Sequence, residues 1–105
     1  MDRTGQTAVI FIAARNEQDD EGYGAAAAAM AALAATQPGY RGIDSVRDES
    51  RVGVTVSYWA DEASAVAWRQ HPEHTRIRDE GRGRWYDWYH LHVAVIGRSY
   101  SWTRP

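Results

Sequence analysis

The sequence has no cysteine and no lysine, and only one phenylalanine and three prolines among its 105 residues. Without cysteine there are no disulfides, no thiolate nucleophiles and no thiolate-bound metals or clusters. All twelve basic side chains are arginine, which with the alanine-rich tract reads as a compositional bias. No charge of one sign dominates either: 12 basic residues stand against 14 acidic ones along the chain, for a net charge of −2. With neither a basic patch nor an acidic tail, nucleic acid is a poor candidate partner. Long apolar runs are also missing. The longest, Ala25 to Ala35, is mostly alanine and far too short to span a bilayer, so no membrane partner is expected. The polar opening MDRTGQT and the short run Ala8 to Ala14 do not make a signal peptide, and the expected location is the cytoplasm.

What is abundant is tryptophan and tyrosine, five and six residues. These rings collect in cores, interfaces and pockets that are apolar on one side and wet on the other. In a chain long enough for one domain, taken as residues 1–105, the surplus points to a partner surface or a ligand cavity.

The apolar pattern orders the elements. Thr7 to Ala14 is a β-branched run with Val9 and Phe11 on one face and Ile10 and Ile12 on the other, a strand covered on both sides. Arg15 to Gly24 reads as a polar loop, and Ala25 to Thr36 as a helix stopped by Gln37-Pro38-Gly39. Tyr23, Met30 and Leu33 mark its packing stripe. Tyr40 to Arg47 is a second strand with Ile43 and Val46 as apolar members, and Val52 to Trp59 a third. In the third, Val52, Val54, Val56 and Tyr58 oppose Thr55, Ser57 and Trp59. Asp61 is placed to cap a helix, and Pro72 suits the first turn of a continuation, which puts His71 at a joint before a segment running to about Glu80. Gly81 and Gly83 loosen the chain, and Tyr89 to Trp102 alternates as a long last strand. The order β-α-β-β-α-β predicts an α+β, ferredoxin-like fold on a four-stranded antiparallel sheet. Its helices cover one face. The other face is too apolar to stay bare, so a homodimer with sheets face to face is expected.

Chemistry-bearing residues gather between Ser57 and Tyr89, where they include Trp68, His71, His74 and the pair Trp85-Tyr86. The chain resembles the antibiotic biosynthesis monooxygenase (ABM-type) family of dimeric α+β barrel proteins. The resemblance is carried by Asp19 to Tyr23, Gln37 to Tyr40, the strand Val54 to Trp59, the helical Ala67 to His74, and Trp85-Tyr86. It covers nearly the whole chain and is specific for the fold rather than for a reaction. Such a resemblance implies a small cofactor-independent oxygenase acting on a phenol- or quinol-type aromatic molecule, since the family includes such enzymes alongside haem-degrading ones.

The residues give this expectation a physical form. Trp68 and His71 lie three apart on a helix, with His74 one turn on. Histidine, with an ordinary pKa of about 6.5, can take or give a proton at neutral pH. In this reading His74 draws a phenolic proton, Arg15 or Asn16 at the end of the first strand holds the oxyanion, and Trp68 forms a wall. Tyr58, Trp59, His71, Trp85 and Tyr86 complete the substrate-binding set. The competing reading puts Trp68 in the core and uses Tyr58, Trp59, Trp85 and Tyr86 to fill space between subunits. Haem is the alternative cofactor, with Asn16, Trp68 and His74 as residue types. Relatives with that activity carry the imidazole about three turns beyond the tryptophan, where this chain has Ile77 and Arg78. A non-catalytic ligand-binding dimer is the remaining alternative. His90 and His92 share a strand face, but lack a third ligand nearby, so no metal site is expected.

Overall fold

The computed structural model describes all residues, 1–105. Its elements are β1 (Thr7–Arg15), α1 (Asp20–Ala34), β2 (Tyr40–Arg47), β3 (Val52–Trp59), α2 (Glu62–Arg69), α3 (Pro72–Arg84) and β4 (Tyr86–Val95). The four strands form one antiparallel sheet in the order β2-β3-β1-β4. This is the expected ferredoxin-like arrangement, with its second helical segment split in two.

The split has the local cause read from the sequence. Asp61 caps α2 by accepting the Ser64 amide at 2.8 Å. Pro72 opens α3, and the His71 imidazole caps it by accepting the Glu73 amide at 3.1 Å. Four boundaries differ from expectation by three residues or more. Helix α1 begins at Asp20 rather than Ala25, because Asp19 caps it through the Gly22 amide and Asp20 and Glu21 complement the positive end of the helix dipole. Helix α3 runs to Arg84, taking in Gly81 and Gly83, which were expected to loosen the chain. Strand β4 starts three residues early, across a bulge at Ala14/Arg15, and stops at Val95 instead of Trp102. Beyond it, Ile96 exchanges backbone bonds with Gly5 and Gln6. Gly39, at φ +82°, supplies the left-handed turn between α1 and β2.

Register fixes the two faces of the sheet. Ile10 lies opposite Val56 and His92, and Ile12 opposite Val54 and His90, so these residues share the face away from the helices. Val9, Phe11, Thr55, Ser57 and Leu91 share the helix side. Ile43 and Val46, the apolar members of β2, lie three apart and so face opposite ways. Ile43 faces the helices, and Val46 is 71 % exposed.

The dry core is small and lies at one end. Trp59 is fully buried against Ala34 and Ala65, with Val9, Tyr40 and Trp68 packed around it. Toward the other end the alanine face of α1 does not fill the gap above the sheet. That shortfall makes the cavity described next.

Candidate functional site

A cavity of about 380 Å3 runs between the helices and the sheet. Its volume falls in the roughly 300–1,000 Å3 range of small-molecule pockets. Ala26, Ala27, Met30 and Ala31 of α1 form one wall, and small side chains are why it stands open. Val9, Phe11 and Ala13 of β1 form the apolar floor, continued by Ser45, Thr55 and Ser57 of β2 and β3. There Ser45 and Thr55 share a hydroxyl hydrogen bond of 2.8 Å, and Ser57 Oγ accepts the Trp59 indole N–H at 3.0 Å.

Trp68, His74, Ile77 and Arg78 of α2 and α3 close a further wall. The His74 ring meets Trp68 edge to face at 4.9 Å, and Trp68 stacks on Trp59 at 6.1 Å. His74 Nδ1 is buried without a partner. Burial holds the His74 pKa below its ordinary value, and the positive charges of Arg78, His71 and Arg69 push the same way. The imidazole is therefore neutral at pH 7, with its Nδ1 unpartnered. Arg78 Nε and Trp85 Nε1 are also buried without partners. All three atoms belong to residues that line the cavity.

Tyr23, Trp85, Tyr86 and Tyr89 line the other end. Tyr23 meets Trp85 and Tyr86 edge to face at 5.7 and 6.0 Å, and Phe11 stacks on Tyr89 at 5.2 Å. Burial pushes the Tyr86 phenol well above its usual pKa, with Tyr23 adding to the effect, so Tyr86 stays a proton donor. Gly81 makes room for that ring: a Cβ there would lie 2.6 Å from Tyr86 Cε2.

Of the nine residues expected at a site, the structure brings His74, Trp68, Trp85 and Tyr86 to the cavity. The other five lie elsewhere, each for a visible reason. Arg15 is buried, but its guanidinium pairs with Asp20 at 2.9 Å and lies 3.7 Å over the Tyr23 ring, behind the wall. Asn16 is spent on backbone: its amide donates to the Arg84 carbonyl at 2.8 Å, and its side-chain oxygen accepts the Gln18 amide. Tyr58 belongs to the outer face of the sheet, where its hydroxyl donates to Asp44 at 2.8 Å and Arg3 covers its ring. Trp59 is the centre of the dry core, and His71 is the α3 cap. His90 and His92 point away from the cavity, and no three metal-ligating side chains cluster anywhere in the fold.

Tyr23, Arg47, Arg78 and Tyr89 were not anticipated as lining. Tyr23 and Met30 were visible as a helical stripe, and the spacing of Ile43, Ser45 and Arg47 at every second residue marks one strand face.

The fold and its lining define an α+β protein with an aromatic-walled, polar-tipped cavity between its layers. The antibiotic biosynthesis monooxygenase family model matches residues 6–80, and the chain belongs to that family. YqjZ of Bacillus subtilis, whose own role is uncharacterised, is 44% identical over 91 residues, covering 87% of this chain and 79% of that protein. Two solved structures show how widely the fold is shared. SnoaB, a cofactor-independent oxygenase from Streptomyces nogalater, superposes with a TM-score of 0.74 over 97% of this chain and 99% of its own, at 14% identity. A conserved protein from Methanosarcina mazei reaches 0.80 over 90% and 95%, at 7% identity.

Proposed function

We propose that the chain is a small oxygenase that acts without a cofactor on an electron-rich phenol or hydroquinone bound between helices and sheet. The observation that carries this reading is the buried, unpartnered Nδ1 of a neutral His74 in an aromatic-walled cavity beside the Arg78 guanidinium. Membership of the family and the likeness in fold to SnoaB, itself a cofactor-independent oxygenase, support it.

In this mechanism His74 accepts the phenolic proton, and Arg78 takes over the oxyanion-holding role first expected of Arg15. Trp68 walls the ring beside His74, while Trp85 and Tyr86 line the far end of the cavity. For a phenol whose para carbon bears hydrogen, one electron passes from the phenolate to dioxygen, and the radical and superoxide join in a C–O bond at that carbon. Protonated His74 returns its proton to the peroxide. The O–O bond then breaks with loss of water, which takes the para hydrogen, and leaves a quinone. One atom of dioxygen stays in the product and the other leaves as water. The protein contributes a base, an orientation and a dry setting.

The test is oxygen uptake with naphthols and anthrones under air. Turnover is expected, with a fall of about 10²-fold or more in His74→Ala, the scale of a lost general base. No uptake above buffer with either compound class would sink the proposal and leave a ligand-binding role. Haem fits the cavity poorly. His74 is the one imidazole among the lining residues, its ring is covered by Trp68, and the volume is near the small end of the pocket range. A haem titration is expected to show no Soret shift.

We further infer a homodimer formed through the outer sheet face. Ile10, Ile12, Val54 and Val56 make its centre, and Trp88 stays 44 % exposed beside them. Burying such a face against its own copy removes it from water with one two-fold interface. No helix is long and apolar enough to cross a membrane.

A further inference from the structure

Arg47 and Arg78 line the cavity, and none of its 23 lining residues is an aspartate or glutamate. Two guanidinium groups border the cleft, that of the exposed Arg47 and that of the half-buried Arg78, and a neutral ligand would bring no opposing charge to either. Arg78 has only Asp79, its neighbour in sequence, at 3.6 Å. Arg47 has no acidic partner within ion-pair distance at all. It donates instead to Tyr23 Oη at 2.7 Å and to the Arg51 carbonyl at 3.1 Å.

The position of Arg47 is built into the fold. Its cross-strand partner is Gly53, and the guanidinium lies directly on that backbone, where a Cβ would come within 2.9 Å of Cζ. Nearby charges do not neutralise it. Arg15 and Arg51 both pair with Asp20, which leaves three guanidiniums against one carboxylate around Tyr23. Asp48 follows Arg47 in the chain, but its carboxylate is engaged by the amide and hydroxyl of Ser50.

Arg47 and His74 lie toward opposite ends of the cavity. Arg47 is level with Gly53, whereas Trp68, on which His74 packs, stacks on Trp59, six residues along β3. We propose that the cavity takes an elongated aromatic acid, whose carboxylate is held by Arg47 and by the proton of the Tyr23 hydroxyl that Arg47 leaves free. The orientation, with the phenol at His74, rests on the function proposed above; the anion site itself does not. A guanidinium held in one orientation, with a phenolic donor beside it, recognises a planar carboxylate by charge-assisted hydrogen bonds.

Binding is read by quenching of tryptophan fluorescence, with a hydroxynaphthoate and the matching naphthol as probes. The acid is expected to bind about tenfold tighter, the effect of one hydrogen bond to a charged group. That preference should shrink with added salt, vanish in Arg47→Gln and weaken in Tyr23→Phe. It should persist in Arg104→Gln, which removes the same charge from the exposed tail. Equal affinity for the two probes, or a preference that survives Arg47→Gln, would overturn the assignment. Should Arg47→Gln fail to fold, Tyr23→Phe and the salt dependence of the unmodified chain decide. Oxygen uptake separates this proposal from the previous one. Acid preference without uptake removes the oxygenase and keeps the anion site, and uptake from naphthol without acid preference does the reverse.

Discussion

Alanine is a better helix former than glycine by about 1 kcal/mol, so on propensity alone Gly81→Ala and Gly83→Ala should both stabilise α3. The structure separates them. Nothing lies within 4 Å of a Cβ built at Gly83, while at Gly81 it would sit 2.6 Å from Tyr86 Cε2 and 3.0 Å from Cδ2. The Tyr86 ring has little room to retreat, with Phe11 at 5.4 Å and Tyr23 and Tyr89 at 6.0 Å. Overpacking of this kind costs roughly 1–3 kcal/mol. Gly83→Ala is therefore expected to gain up to about 1 kcal/mol, and Gly81→Ala to lose up to about 2 kcal/mol after the propensity gain. For a chain of this length that separates the two melting temperatures by roughly 5–20 °C, at about 4–8 °C per kcal/mol. Thermal and urea unfolding of both variants provide the measurement. In a Tyr86→Leu background the clash is gone, and Gly81→Ala should become neutral or stabilising, a coupling that a double-mutant cycle reads directly. If the two alanine variants melt together in the unmodified background, the account of Gly81 as space for the cavity ring is wrong.

Three further outcomes follow from particular contacts. Trp59→Ala removes the fully buried centre of the core and should lower stability by about 3–5 kcal/mol, a large share of a typical domain's total, as measured by urea unfolding. His74 has a depressed pKa when folded, so its contribution is present above about pH 6.5 and is lost as pH falls through the folded value. Unfolding curves from pH 7.5 to 5 should show less acid destabilisation in His74→Gln, and the proposed turnover should fall over the same acid range. Ile12→Arg places a charge in the outer sheet face, and sedimentation should show the 11.8 kDa monomer in place of a dimer. A monomeric unmodified chain at micromolar concentration would contradict the dimer.

The sequence alone determined the element order, the α2–α3 joint, the antiparallel sheet and the family likeness. These rest on local causes: alternation in Val52 to Trp59, the Asp61 cap, the Pro72 start and the break at Gln37-Pro38-Gly39. Element ends were less legible where glycine was involved. Gly22, Gly24, Gly81 and Gly83 read as interruptions, yet they lie inside helices whose caps and packing outweigh a propensity penalty of about 1 kcal/mol each.

Only the tertiary structure decided which polar and aromatic residues share a space. Arg15 and Arg47 are the same residue type at the ends of β1 and β2, two strands separated by β3. One is neutralised by Asp20 behind the Tyr23 ring, and the other is left without an acid at the cavity wall. Trp59 and Trp68 stack, but one is core and the other lining. Periodicity fixes the face on which a side chain stands. Whether that side chain meets a counter-charge, a ring or an open cleft depends on strand register and helix placement, which bring together residues tens of positions apart.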